Sequence, residues 1–315
     1  KTAVRPLGVN QAFVGSTVLQ YDEAADTITD TSTGAVYTVG AVGDEQYFVD
    51  ENGERAFSQG WLQSVGLANY ERLFTNSAIA GQFGAAFAWT LVFAAGSVLL
   101  TFALGFALAL VLNDQRLKGR RVYRSLLIMP YAIPGFISLL VWSNFYNRDF
   151  GLLNELLHLD LNWFGDPTLA KAAVLLTNLW MGFPYMFIVS TGALQAIPDE
   201  LTEASRMDGA SRFQSTSRIV LPLLLVAVAP LLVSSFAFNF NNFNAIQLLT
   251  EGGPFPDGSA RGATDILISM IYRIAFGGSG ADFGFASAVS VCLFVLTGVL
   301  ATIQFRFTNV LEDVN

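Results

Sequence analysis

Thiols and imidazoles are almost missing from this 315-residue chain, which has one cysteine, Cys292, and one histidine, His158. A single thiol excludes an internal disulfide and leaves no thiolate cluster to hold zinc or an iron–sulfur centre. His158 lies between Leu157 and Leu159, and a metal site needs several convergent ligands, so it reads as a loop residue. Charge is also scarce: 13% of residues are charged and 53% are hydrophobic, which excludes an ordinary soluble chain. The net charge of −8 is local, because much of the acid precedes residue 80 (Asp22, Glu23, Asp26, Asp30, Asp44, Glu45, Asp50, Glu51, Glu54 and Glu71). That is a solvated face and excludes a basic nucleic-acid surface. No Walker glycine-rich loop with its lysine is present, so nothing here binds ATP. No paired carboxylates or nucleophile–base pair falls inside an apolar run, so no catalytic residues are assigned. The chain begins at Lys1 without a signal-peptide pattern, and a segment upstream of it is expected.

What the chain does have is long, uncharged apolar runs. Runs of ~18 or more such residues read as membrane helices. Five spans are expected: about Ala85–Leu112, Ser125–Tyr146, Leu169–Leu194, Leu221–Leu249 and Phe283–Phe305. Ile266–Phe276 is apolar but too short, with Asp265 and Arg273 at its ends, and is expected to be an interfacial helix in an outer loop. Residues 1–82 read as a small, mostly β extracytoplasmic domain and residues 83–315 as an all-α polytopic membrane bundle. Val36–Val39 and Tyr47–Val49 are short β-type runs with breaks at Gly40 and Gly43-Asp44, and Asn52-Gly53 signals a tight turn.

Basic residues set the orientation. Arg116, Lys118, Arg120, Arg121 and Arg124 follow the first span, and Arg206, Arg212 and Arg218 follow the third, so both loops are expected to be cytoplasmic. The alternate loops carry mainly acids: Asp149, Glu155, Asp160 and Asp166, then Glu251, Asp257 and Asp282. The N-terminal domain is therefore expected outside and the C-terminus inside. Pro130 and Pro134 are expected to interrupt the second span, Gly182 and Pro184 the third, and Pro230 the fourth. Such breaks are tolerated where protein or a water-filled cavity satisfies the freed backbone, a feature of transporters, and they are also compatible with ordinary kinking.

The loop 195–222 is the most specific feature. It reads Glu203-Ala204-Ser205, three residues, Gly209, nine residues, Ile219, one residue, then Leu221-Pro222. Ile197-Pro198-Asp199-Glu200 looks like a helix start, Gly209 can make a sharp turn, and Pro222 interrupts the next helical ladder. The pattern resembles the EAA motif of ATP-binding-cassette importer permeases, with Ser205 in place of the second alanine. Beyond it, Leu126–Ser138, Trp180–Met186, Ser235–Phe243, Gln247–Thr250, Gly252-Gly253-Pro254 and Tyr272–Phe276 resemble the MalF family of maltose/maltodextrin permeases, from about Trp61 onward. The resemblance implies a bacterial inner-membrane subunit with no cofactor of its own, ATP and Mg being bound by a partner ATPase. It implies a second, MalG-like permease subunit, a MalK-like ATPase dimer, an extracytoplasmic sugar-binding protein and surrounding lipid. Glu203, Ala204, Ser205, Gly209, Ile219, Leu221 and Pro222 would then form the coupling helix seated in the ATPase. The family's outer domain is expected here in shortened form.

Two polar faces occur inside the apolar runs. Ser235, Asn239 and Asn242 recur at i, i+4, i+7 with Phe238 beside them, and Asn178, Gly182 and Tyr185 have the same spacing. Amides and phenols suit sugar hydroxyls, aromatic rings suit the apolar face of a sugar, and Gly182 would leave room for its approach. Hydrogen bonding between spans is the other reading these faces allow. The resemblance adds that Gly182, Tyr185, Ser235, Phe238, Asn239 and Asn242 match maltose-contacting positions of the family, with Asn178 in register. Asn241 and Asn244 fall on other faces and read as structural. No positive cluster lines the faces, so a phosphorylated or carboxylate substrate is not expected. Import of maltose/maltodextrin is the reading that results. Import of another neutral sugar such as trehalose, or an ion-coupled secondary transporter, remain the alternatives, although the second predicts ionisable groups within the spans.

Overall fold

The computed structural model describes residues 2–6, 12–16, 18–42, 45–57, 64–114, 116–256, 261–277 and 282–312, with side chains described no further than 302. Gly43-Asp44, Asp257 and Trp61 lie outside the described residues. The chain divides into two units, Lys1–Gly66 and Leu67–Asn315. The division falls well ahead of residue 82, because the first long helix already starts at Ser77.

The first unit is β-structure. Strands β1 (Thr2–Pro6) and β2 (Ala12–Ser16) pair antiparallel, and β3 (Leu19–Asp22), β4 (Thr27–Asp30), β5 (Val36–Val42) and β6 (Glu45–Val49) form an antiparallel meander. Thr38 sits opposite both Thr27 and Val49, which fixes the register of the central strand. Aromatic edges join the elements: Tyr37 meets Phe57 at 5.0 Å and Phe48 meets Phe57 at 6.4 Å between ring centroids. The turn at Asn52-Gly53 forms, with Gly53 at φ 76° and an isolated bridge between Val49 and Arg55.

The second unit is helical. It runs α1 (Ala68–Thr75), α2 (Ser77–Asn113), α3 (Arg120–Ile128), α4 (Gly135–Phe145), α5 (Leu152–Leu157), α6 (Pro167–Ala196), α7 (Asp199–Met207), α8 (Arg212–Ser215), α9 (Leu221–Phe240), α10 (Phe243–Gln247), α11 (Leu267–Phe276) and α12 (Phe283–Glu312). Asn76 starts α2 by accepting from the N–H groups of Ala78 and Ile79, and Asp166 does the same for α6 toward Thr168 and Leu169. The 37 residues of α2 reach ~55 Å, more than a hydrocarbon core requires. Among the described residues, four helices are long and apolar enough to span a membrane, at Ser77–Asn113, Pro167–Ala196, Arg212–Phe240 and Phe283–Thr302, or five if the bent pair Arg120–Ala132 and Gly135–Phe145 is one span.

One expectation holds and two are corrected. The interruption expected at Pro130 and Pro134 occurs: Arg120–Ala132 and Gly135–Phe145 meet at 93°. Ile133 is extended at ψ 130°, as a residue before proline favours, and Pro134 has no N–H to continue the ladder. Leu221–Leu249 ends early, at Phe240, because Asn241 leaves helical geometry and the Asn242 side chain accepts from Ala245 N–H to start α10. Gly182, Pro184 and Pro230 lie inside continuous helices, so the interruptions expected there do not occur.

The expected interfacial helix is α11, and it is packed inside the bundle. Trp89 Nε1 donates to Thr264 O at 3.1 Å, and Leu267 N donates to Thr90 Oγ1 at 3.0 Å. Asp265 is fully buried and accepts from Arg273 at 2.8 Å, from Ser269 Oγ at 2.8 Å and from Gly262 N at 2.7 Å. Arg273 also donates to Glu251 O at 2.7 Å, so one ion pair ties the segment around Gly252 to α11. The two charges that seemed to mark helix ends therefore neutralise each other.

Removing one partner of a buried pair costs ~3 kcal/mol or more. Asp265→Ala should lower the unfolding midpoint of the detergent-solubilised protein and open residues 250–266 to protease. Asp265→Ala/Arg273→Ala should be no worse than Asp265→Ala alone. An unchanged midpoint and cleavage pattern would show that this pair holds nothing.

Candidate functional site

Asn178, Asn239 and Asn242 come together as a chain of amides. Asn178 Nδ2 donates to Asn239 Oδ1 at 2.8 Å, and Asn242 Nδ2 donates to Asn178 Oδ1 at 3.4 Å. Asn239 Nδ2 donates to Ser235 O at 2.8 Å, one turn earlier on α9. Asn178 is 8% exposed and Asn239 is 6% exposed, so each amide needs these partners to offset its desolvation. The chain joins α6 to α9 and α10, and no charged side chain hydrogen-bonds to it among the described residues. Hydrogen bonding between helices is what these amides do in this conformation. Asn242 joins from beyond the end of α9, so it is the helix break, not a shared helical face, that brings it in. Asn241 and Asn244 are exposed.

The aromatic candidates make contacts of their own, and none hydrogen-bonds to these amides among the described residues. Tyr185 is half-buried and stacks on Tyr131 with centroids 6.4 Å apart and planes 25° apart. Tyr131 lies in the single 3₁₀ turn Met129–Ala132, just before the 93° bend. Sequence reasoning missed it; the signal was its place between Pro130 and Pro134, which is where a broken helix aims a side chain. Phe238 is exposed on α9 and does not cover the amides. Ser235 is half-buried and contributes its carbonyl, with its hydroxyl 3.5 Å from Asn239 Nδ2. Gly182 lies where α6 meets α2. A Cβ there would lie 2.8 Å from Thr101 Cγ2, so the missing side chain lets α2 pack on α6.

The second cluster is the turn between α6 and α9. α7 starts after Pro198 with Asp199 and Glu200 in its first turn, where acids complement the helix dipole. Gly209 takes φ 82°, a left-handed conformation open to glycine, and Ala210 N donates to Ser205 O at 3.0 Å across the turn. α8 opens with a capping box between Ser211 and Gln214. A π turn, Thr216–Val220, then leads into Leu221-Pro222 and α9, so Arg212–Phe240 is one continuous 29-residue helix. Ser205 is buried and lies 2.9 Å from Ser215 Oγ. Glu203 and Ala204 are exposed, as are Met207 at 88% and Phe213 at 80%, while Ile219 and Leu221 are half-buried. An apolar tip of this kind on a short helix–turn–helix is a surface suited to docking.

The Gly182 contact gives a specific expectation. Gly182→Ala should disrupt packing of α2 on α6 and lower the yield of folded protein, whereas Gly182→Ala/Thr101→Ser, which removes the opposing methyl, should restore it. Gel-filtration profiles of the detergent-solubilised variants read this out. Failure of Thr101→Ser to rescue would mean that Gly182 is needed for something other than this contact.

Residues 101–309 match the family described as binding-protein-dependent transport system inner membrane component. The maltose/maltodextrin transport system permease protein MalF of Vibrio vulnificus (strain YJ016) is 48% identical over 263 residues, covering 81% of this chain and 50% of the relative. The protein of the same name from Vibrio cholerae serotype O1 is 42% identical, covering 98% of this chain and 61% of the relative. The chain thus spans about half to three-fifths of the length of these curated relatives. Among solved structures, a chain of a bacterial ABC transporter involved in the import of the acidic polysaccharide alginate superposes with TM-score 0.65 at 25% identity, over 81% of this chain and 86% of that one. A chain of the MetNI methionine ABC transporter, at 16% identity and TM-score 0.53 over 75% of this chain and 98% of that one, shares the fold. With two-thirds of its length inside the family's bounds and relatives this similar, the chain belongs to the binding-protein-dependent transport system inner membrane components.

Proposed function

We propose that the chain is the permease subunit of an ATP-driven importer that carries maltose and maltodextrin across the bacterial inner membrane by alternating access. The amide chain Asn178–Asn239–Asn242 is the observation that carries this reading. It gathers several hydrogen-bonding groups, with no charged partner, within apolar helices, and Tyr185 stacked on Tyr131 lies further along α6, a combination that suits a neutral polyol with an apolar ring face. The related alginate structure concerns an acidic polysaccharide. A carboxylate cargo calls for cationic partners, and the amide chain has none within hydrogen-bonding distance among the described residues. Maltose appears in the names of the curated relatives, and the polar positions here are those the family resemblance assigns to the sugar. Tyr131 joins Tyr185, Ser235, Phe238, Asn239, Asn242 and Asn178 in the proposed sugar path, and Gly182 supports it by packing.

On this reading the loops rich in arginine and lysine face the cytoplasm, and the β unit Lys1–Gly66 lies outside. The helix–turn–helix Asp199–Ser215 seats in a partner ATPase through Met207 and Phe213, and ATP and Mg bind to that partner. A second permease subunit completes the sugar path, covering the exposed ring of Phe238, and a sugar-loaded binding protein docks outside. ATP binding closes the ATPase dimer, the coupling element moves with it, and the path opens to the outside; hydrolysis returns it.

Uptake by the reconstituted complex with its own binding protein tests the reading, using maltose, maltotriose and trehalose with and without ATP. ATP-dependent uptake of maltose and maltotriose is expected. Trehalose uptake alone would replace the substrate, and uptake without ATP would overturn the mechanism. Asn239→Ala should lower maltose uptake at least tenfold, because it removes one hydrogen-bonding group from the sugar and leaves Asn178 Nδ2 without its acceptor. The complex should still assemble, and normal uptake by this variant would remove the amide chain from the sugar path.

A further inference from the structure

We propose that the hydrogen bond between Ser205 and Ser215 is the joint through which movement of α7 enters α9, with Ser215 a positioning residue for transport. This rests on the reading of Asp199–Ser215 as the element docked to the ATPase. α7 has nine residues, too few to hold its own geometry, and α8 is the first turn of the continuous helix Arg212–Phe240, so contacts across the turn set the angle between them. Most hydrogen bonds at this turn are local. Asp208 N donates to Ala204 O, Gly209 N to Arg206 O and Ala210 N to Ser205 O on the α7 side, and the Ser211–Gln214 capping box closes the α8 side. Among the described residues, the 2.9 Å contact between the Ser205 and Ser215 hydroxyls is the one side-chain hydrogen bond that links α7 to α8.

Its surroundings favour transmission. Ser205 is 7% exposed and Ser215 is 5% exposed, so water does not compete for the bond. Ser205 Oγ donates to Ser215 Oγ at 2.9 Å, and Thr202 O, also 2.9 Å away, is the other acceptor within reach of that hydroxyl. Ser215 is also the last residue before the π turn Thr216–Val220. π turns are rare inside α-helices and recur at functional sites. The bond therefore grips the helix on the α7 side of its softest point, and the helix continues from there to Ser235 and Asn239. The motif pattern fixes Glu203 to Ser205 and Ile219 to Pro222 but says nothing of Ser215.

The test uses the complete complex in proteoliposomes and reads ATP hydrolysed per sugar imported, a ratio that a merely structural residue would not move. Ser215→Ala should raise the ratio about fivefold, the factor that one buried hydrogen bond of ordinary net strength is worth, with the ATPase still co-purifying. Ser205→Ala should do the same, and Ser205→Ala/Ser215→Ala should be no worse than either single variant. Ser215→Thr, which keeps the hydroxyl, should restore the ratio. An unchanged ratio, an additive double variant or loss of the ATPase on purification would overturn the joint. Gly209→Val separates this from failure of the underlying reading, since the strained turn should uncouple hydrolysis or release the ATPase. If Gly209→Val changes neither, the docking reading falls; if it uncouples and Ser215→Ala does not, only the joint falls.

Discussion

The helical unit depends on how closely α2 and α6 approach each other. Lipid gives two apolar helices no hydrophobic reason to associate, so contact must come from backbones that pack tightly. Two glycines make that possible here. A Cβ on Gly105 would lie 2.6 Å from the backbone nitrogen of Phe187, and one on Gly182 would lie 2.8 Å from Thr101 Cγ2. Ala94, Ser97, Thr101 and Ala109 continue the small, buried stripe along α2, and Ala170, Ala173 and Thr177 line α6. The other elements attach to this pair. Tyr146, which caps α4, donates from its phenol to Ala173 O, Asn178 bonds Asn239 of α9, and Trp89 and Thr90 of α2 hold the segment leading into α11.

Polar groups inside such a bundle must be satisfied by the bundle itself. The amides of Asn178, Asn239 and Asn242 meet that requirement by bonding one another, and the break after Phe240 is what lets the third amide turn back toward the first. Interhelical bonds of this kind contribute ~0.6–2 kcal/mol each. A sugar that displaced them would exchange one set of modest hydrogen bonds for another, so binding stays close to balanced. On the proposed function that balance is useful, because a carrier must release its cargo as readily as it takes it up, and a charged site would hold too tightly.

Sequence reasoning recovered the class of the fold, the helical runs and the EAA-like turn because each rests on a local signal. Apolar length locates α2, α6 and α12, and Gly209 at φ 82° is where the motif spacing put a turn. What it missed depends on neighbours distant in sequence. Pro184 and Pro230 looked like breaks, yet a membrane helix tolerates one missing hydrogen bond, and both lie in unbroken helices. That Gly182 faces Thr101, far earlier in the chain, was not visible in the helical spacing. Asp265 and Arg273 looked like solvent-facing ends because nothing local shows that they face each other. The three asparagines were found by helical spacing, and two lie on α9 and α6 as that spacing predicts, whereas Asn242 reaches the same place through a break that the spacing did not foresee.

The helix Arg212–Phe240 links the two functional clusters, and its stiffness decides what kind of signal can pass. From Ser215 to Asn239 it spans ~36 Å at 1.5 Å per residue. Pro230 lies in its middle without opening it, so the rod has soft points only at its ends: the π turn Thr216–Val220 and the turn at Asn241. A rod that is soft only at its ends cannot absorb a displacement along its length. It must swing or rotate as a unit, and a small angle at the α8 end becomes a shift of Asn239 relative to Asn178. Those two amides are 2.8 Å apart, a distance at which a shift of about 1 Å already breaks the bond. The amide chain is thus placed where a rigid lever has its largest effect on a short-range contact, and on the proposed function sugar binding and helix movement would act on the same hydrogen bond.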